Sequence, residues 1–396
     1  MAVNTNTNAY AILNELQAQA KGINPINVVD TASFISAGQN MLDLGVDEVM
    51  GSISKLIQKT LISARPYKAK LGIIDMDKDA FAFAVRKLSI ADTAFQAGSI
   101  PVPSDGQSAD PWVVKKANVL EQIFAGQDIW QYQAPSIFRT QLLNAFTSEG
   151  ELVSFFGAIM TNMYNELEQA KESARRGLIG NLIGAKKKAN TDNIEAGTYK
   201  HLVAEFNEAT GQTLTLAAIR KDCYKQFMEF VYATIKADQL MLEERNRIYQ
   251  TQVTGKEITR HTPRADQKLV MLAPEAMNIS ASVLANTFNK ELLDYGTDVE
   301  YISYWQNIKT PATVKVAPVL LKKDGTLENV ASEAAITCEN VFAVLFDKEC
   351  LGMTTIEESV LSTPLNPKGK YINTFAEAQI KLYTDFTESA IVYALD

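Results

Sequence analysis

The sequence predicts an α+β chain in several parts, arranged around one very long helix. Three observations predict it. Apolar residues recur at helical spacing across residues 149–183, a length on the order of 50 Å. A proline- and glycine-rich two-stranded excursion precedes that helix, and beyond residue 186 short strands and helices alternate up to an extended tail. With 46% hydrophobic and 21% charged residues among 396, the composition is that of an ordinary globular protein.

Each element follows in order. Residues 1–30 read as an N-terminal arm, polar over 3–8, where Asn and Thr alternate, with a short amphipathic helix over 9–20 ended by Gly22 and Pro25. Residues 31–65 read as two helices, 32–44 and 47–64, the second striped by Val49, Ile53, Ile57 and Leu61 and broken at Arg65-Pro66. Residues 66–117 change character. Phe81, Phe83 and Val85 alternate with small residues, a strand continues over 86–90, and Gly98, Pro101, Pro103, Gly106 and Pro111 mark an edge or a loop tip. An isolated hairpin is marginal in water, so this excursion is expected to lie on a neighbouring subunit.

An aromatic β-like segment with Phe124, Trp130 and Tyr132 opens residues 118–185 and leads into the long helix. Ser148 and Glu151 form an S-x-x-E capping box at its start. Leu152, Phe156, Ile159, Met163, Leu167, Ala170 and Ala174 form its stripe. Gly184 stands where a helix can close, with Lys186, Lys187 and Lys188 beyond it, so the helix is expected to end at 183. Strand and turn are expected over 194–211, then a helix over 215–249 that breaks near Ala237-Asp238. A polar loop (251–265), a strand (268–272) stopped by Pro274 and a helix (281–293) follow. Strands are expected at 299–305, 314–321 and 340–346, with a turn at Lys323-Asp324-Gly325. In the tail, 371–395, Ala376, Ala378, Ile380 and Leu382 alternate with polar neighbours.

Several function classes are disfavoured. A net charge of -8 argues against a dedicated nucleic-acid binder. Three scattered cysteines, Cys223, Cys338 and Cys350, fit a reducing compartment, and Cys338 and Cys350 read as core or half-buried thiols rather than a reactive pair. No signal peptide and no membrane-length apolar run is visible, which predicts a soluble cytoplasmic product. His201 and His261 lie far apart in polar contexts, with no metal-ligand spacing around either. Ser52-Ile53-Ser54-Lys55 matches S-x-x-K without its companion motifs and reads as solvated surface. Gly177, Gly180 and Gly184 lack the Gly-Lys-Ser/Thr ending of a phosphate loop and read as a small-residue patch where helices cross. Lys186–Lys188 reads as a solvated helix end, with DNA or partner contact as its functional alternative. Glu243, Glu244, Arg245 and Arg247 read as a solvated face with local ion pairs. The sequence therefore predicts no catalytic, cofactor-binding or metal-binding residues.

The order of elements and several short words carry a resemblance. Asn118-Val119-Leu120, the aromatics Phe124, Trp130 and Tyr132, then Asn144-Ala145-Phe146-Thr147-Ser148 and Tyr164-Asn165 surround the helix start. Val344-Leu345-Phe346-Asp347-Lys348-Glu349 and Asn366-Pro367-Lys368-Gly369-Lys370-Tyr371 stand near the end. This succession resembles tailed-bacteriophage major capsid proteins of the Hong Kong 97-type fold, above all the coat proteins of small podoviruses of the phi-twenty-nine type. The resemblance implies an α+β capsid fold with an N-terminal arm (1–30), N-terminal helices (31–65), an extended β-hairpin loop (66–117) and a peripheral domain (118–185) with spine helix 149–183. A mixed α/β axial domain (186–370) and a return strand to the peripheral domain (371–396) complete it. It also implies a shell of hexamers and pentamers of this chain, enclosing double-stranded DNA that it touches without specificity, with portal and separate scaffolding proteins as partners and assembly in the bacterial cytoplasm. No immunoglobulin-like decoration domain is expected, and the arm is too short for a built-in scaffold. The alternatives are an encapsulin-type nanocompartment of the same fold, a soluble α/β enzyme with a site of scattered Asp, Glu and Tyr, and another virion part such as a portal or sheath subunit.

Overall fold

The computed structural model describes residues 10–11, 13–15, 17–18, 25–43, 67–77, 84–90, 119–125, 128–133, 136–138, 149–192, 197–245, 259–284, 295–321, 326–364 and 366–396. The expected helix over 47–64, the S-x-x-K serine, the capping serine Ser148 and the hairpin tip lie outside the described residues.

A five-stranded mixed sheet forms the centre. Its order is β5 (Tyr199–His201), β16 (Ala390–Ala394), β12 (Val341–Asp347), β6 (Gln267–Leu272) and β7 (Asp298–Ile302). The three inner strands are antiparallel; β5 and β7 join the edges in parallel. Strand β12 is buried at every position because each face meets its own core. Ala343 and Leu345 point into a cluster with Phe206, Phe227, Ile235 and Tyr393. Val344 and Phe346 point the other way, towards Ile179, Leu182, Ile183 and Trp305.

Four helices supply the first core: α3 (Leu202–Thr210), α4 (Leu216–Asp222), α5 (Tyr224–Glu243) and α6 (Ala273–Leu284). The second core is closed by the long helix α2 (Glu149–Thr191), 43 residues in length. Nearer its start, α2 lies under a second sheet in the order β13 (Leu351–Ser362), β15 (Thr374–Thr384) and β3 (Asp128–Gln133). There the expected alternation holds as far as Ile380, with Ala376, Ala378 and Ile380 buried, and then reverses: Lys381 and Tyr383 are buried and Leu382 is half-buried. Ahead of these elements comes α1 (Thr31–Asp43), where Asp30 accepts from the Ser33 amide and the Ser33 hydroxyl accepts from the Asp30 amide.

The long helix differs from expectation in two ways. It runs eight residues past 183, because Gly184 is a packing point inside the helix rather than its end: a Cβ there would sit 2.3 Å from Val316 Cγ1. Its buried seam also moves by one residue after Met163, to Glu168, Glu172, Arg175, Ile179, Leu182, Lys186 and Ala189. Leu167, Ala170 and Ala174 are only half-buried.

Other boundaries shift too. Residues 202–210 are helical, closed by Gly211 at φ 68°, where strand and turn were expected. The break in the next helix falls at Cys223, not near Ala237-Asp238. Asp238 instead lies buried within α5, held by Lys200 Nζ at 2.7 Å and the Tyr393 hydroxyl at 2.9 Å. Pro274 starts α6 rather than merely stopping the strand before it, since a first-turn proline leaves no helical hydrogen bond unmade. Strand β13, which no alternation announces, joins the sheet of the tail. The tail itself divides into β15 and β16, in different sheets.

Candidate assembly surfaces

Residues 67–77, expected in the excursion, form a strap across the long helix, and charged groups hold it. The Tyr67 hydroxyl donates to Glu172 at 2.7 Å, and the amides of Ala69 and Lys70 donate to Glu168 and Glu172. Arg175 grips Asp75 through two nitrogens at 2.8 and 2.6 Å and donates to the Lys70 carbonyl. From the central sheet, Glu300 accepts the amides of Leu71 and Ile73. Burial raises the Glu172 carboxyl, but the Lys70 amide, Tyr67 and Arg176 outweigh it and hold the group below its ordinary range. At Asp75 burial wins over Arg175, and the carboxyl is raised. A polar seam along a helix thus replaces an apolar one because each buried charge has a partner.

Two strands, β1 (Ala84–Ile90) and β2 (Val119–Ala125), pair antiparallel with each other and, among the described residues, with no third strand. The described return limb, 119–125, therefore lies beyond the 66–117 expected for the hairpin. Directly opposed residues share a face, so Val85, Lys87, Ser89, Leu120, Gln122 and Phe124 look one way and Arg86, Leu88, Ile90, Val119, Glu121 and Ile123 the other. The first face meets the body of the molecule. Lys87 Nζ reaches Asp385 at 2.9 Å and Glu349 at 3.0 Å, and it pairs with Glu388. Arg260 pairs with Glu388 and donates to the Ser89 hydroxyl at 2.8 Å. Gln122 donates to Asp385 and Thr387, and the Phe124 ring lies 5.2 Å from that of Tyr383. The second face looks outward, with Leu88, Ile90, Val119 and Ile123 exposed by 57, 63, 56 and 61%. An ion pair between Arg86 and Glu121 crosses the same face.

The residues singled out in the sequence do not converge. His201 Nδ1 lies 2.7 Å from Asp396 Oδ1, while His261 lines a separate groove with Arg245, Arg260 and Lys348. Among the described residues no group of three or more His, Cys, Asp and Glu is placed to hold a metal ion, and no helix is long and apolar enough to cross a membrane. Cys338 and Cys350 are both buried; burial pushes Cys338 up to about 11 and Cys350 higher still.

Lys186–Lys188 is not a solvated helix end. Lys186 is 2% exposed, Lys187 donates to the Thr337 carbonyl, and Lys188 pairs with Asp192 one turn on. Gly180 and Gly184 do form a close-approach patch, but against Val314, Val316 and Pro318 rather than a second helix. Glu243 pairs with Arg264, and Arg245 donates to the Thr259 carbonyl. What the sequence missed is the charged set around Lys87. Its one visible signal is the clustering of Asp347, Glu349, Asp385 and Glu388 beside strand ends.

Comparison with known proteins was made against families, curated proteins and solved structures. The family model for Phi29-like phage major capsid protein matches residues 10–394. No curated protein matches. Among solved structures, a chain of the Staphylococcus phage Andhra capsid is similar at 9% identity and a TM-score of 0.53, covering 85% of this chain and 86% of that one. A chain from the structure of head fiber and inner core protein gp22 of native bacteriophage P68 is similar at 9% identity and a TM-score of 0.51, covering 83% and 85%.

Proposed function

Since the chain belongs to the Phi29-like phage major capsid protein family, its function is self-assembly into the icosahedral head shell of a tailed bacteriophage, and we propose how its surfaces build that shell. The observation that carries the proposal is the outward face of the β1–β2 hairpin. Four large apolar side chains side by side on one two-stranded ribbon form a patch that a soluble monomer rarely leaves bare. The hairpin is the extended loop, and this face lies on a neighbouring copy within a capsomer. Helix α2 with β3, β13 and β15 serves as the peripheral domain, with the long helix as its spine. The five-stranded sheet and helices α3–α6 serve as the axial domain around fivefold and sixfold centres.

The capsomers are hexamers and pentamers of this chain, assembled in the host cytoplasm with separate scaffolding and portal proteins. Contact with the packaged DNA is non-specific, in keeping with a net charge of -8, since a strongly basic lining would grip the DNA in a salt-dependent way. The family match over residues 10–394 disfavours the encapsulin, enzyme and portal alternatives.

Introducing Ile123→Asp into the full chain tests the reading. The expected result is a folded subunit, by circular dichroism, that forms no closed shells by negative-stain electron microscopy. Removal of residues 80–112 is expected to do the same. Normal shells from either variant would overturn the assignment of the hairpin.

A further inference from the structure

One loop of the body presents an apolar side chain that its own subunit leaves uncovered. Residues 303–313 follow β7, and both ends of this loop are fastened. Trp305 is buried; its indole donates to the Val341 carbonyl at 2.8 Å and its amide to the Pro311 carbonyl at 2.9 Å. Gln306 exchanges two hydrogen bonds with the backbone of Lys315, at 3.0 and 2.8 Å. At the tip, Asn307 accepts the amides of Lys309 and Thr310. There Ile308 is 74% exposed, more than any other large apolar side chain described. A lone exposed isoleucine is ordinary on a surface, but a braced turn has already given up the freedom that docking would cost.

The base of the same loop borders a groove of about 280 Å³ against α2. Ser173, Gly177 and Gly180 line it from the helix, Tyr304 from the loop, and Val314 and Val316 from the strand that follows. Arg176 fixes the loop to the helix. Its guanidinium lies 3.8 Å over the Tyr304 ring, pairs with Glu172 and donates to the carbonyls of Tyr304 and Trp305. Gly177 is exposed in mid-helix, and a Cβ there would meet nothing within 4 Å. Among the described residues, nothing in the subunit accounts for a glycine that weakens the helix at that point.

We infer that Ile308 of one copy enters this groove on a second copy, a knob into a hole. The groove falls short of the roughly 300–1,000 Å³ of small-molecule sites and suits a side chain or two on a narrow turn. The outward face of β1–β2, with four large side chains on a flat ribbon, is too broad for it. The charges match as well. Lys309 stands exposed beside the knob, and Glu166 stands exposed on the same face of α2 as Ser173 and Gly177. The acid inside the groove, Glu172, is already held by Arg176. Knob and groove are different surfaces, so the contact is heterologous and must close by rotation. Both belong to one loop, so that rotation moves the groove only about a loop's width. The symmetry axis therefore passes beside residues 303–313. The inference rests on self-assembly of the chain and not on the hairpin face, so the two are tested apart.

The test is a disulfide in shells of the full chain carrying Gly177→Cys and Ile308→Cys. The bond needs Cα atoms within about 7 Å, and a bond inside one copy would leave the monomer band unchanged. After oxidation, denaturing gels without reductant should show the double variant as a ladder, whose last step gives the order of the axis. The parent, with its three native cysteines, and either single variant should run as monomers. A double variant that also runs as a monomer would overturn the inference. Gly177→Leu needs no cysteine. It should melt cooperatively at or above the temperature of the parent and yield severalfold fewer shells, because the leucine fills the hole. Shells in normal yield from a folded Gly177→Leu chain would equally overturn it. Normal shells from Ile123→Asp would remove the hairpin reading and leave the ladder unchanged.

Discussion

Asp385 shows what a single residue contributes here. Burial alone would raise its carboxyl, but Lys87 beside it and the hydroxyl and amide of Thr387 outweigh burial and lower it. Glu349, Glu388, Arg260, Gln122 and Tyr383 are the other charged or polar groups around this cluster. A carboxyl lowered in the folded state stabilises the fold above its unfolded pKa, about 4, and that stabilisation is lost as pH falls through the lower folded value. Asp347, two residues before Glu349, works in the opposite sense, because burial raises it. Asp385→Asn should therefore be less stable than the parent at neutral pH and lose less on acidification below about pH 4. Urea midpoints across pH check this. Parallel curves for the two proteins would mean that Asp385 is not held by charge.

At the scale of elements, the long helix sets a sharper test, because two of its glycines have opposite surroundings. A Cβ on Gly184 would collide with Val316, whereas a Cβ on Gly177 would meet nothing within 4 Å. Gly184→Ala should cost about 1–3 kcal/mol by overpacking. Gly177→Ala should stabilise by about 0.5–1 kcal/mol, the helix preference of alanine over glycine. Denaturant midpoints decide, and equal shifts for both would remove the packing account. The same helix shows what could be read from the sequence. Ile159 and Met163 announce the seam, but beyond them it is filled by Glu168, Glu172 and Arg175, whose partners come from the strap and stay silent until the chain is folded. Gly184 looked like a helix end because the valine that needs its missing side chain lies 132 residues on. Strand β12 was legible as an apolar run, while β13 was not: it is buried at first and exposed further on, with no steady alternation. Of the assembly surface, the strand at 86–90 was readable from its pattern. Its opposing strand, its bare face and the carboxylates on Lys87 depend on pairings between distant segments.

For the molecule as a whole, folding and assembly rest on separate parts of one chain, and this can be tested at its two extremes. The hairpin contributes little to either core, so damage to its outward face should spare the fold and abolish the shell. Strand β16 is the reverse. It lies between β5 and β12, with Ala390, Val392 and Ala394 in one core and Ile391, Tyr393 and Leu395 in the other. Its removal would strip both cores at once and leave the inner edge of β12 without its ladder. Each large apolar side chain lost from a core costs about 2–5 kcal/mol, and a domain has only about 5–15 kcal/mol in all. A chain lacking residues 390–396 should therefore fail to fold, with no cooperative thermal transition and no shells, even beside a scaffolding protein. Ile123→Asp should keep the transition and lose only the shells. A truncated chain that still melts cooperatively would show that the central sheet does not depend on the strand between β5 and β12, and the separation of folding from assembly would fall with it.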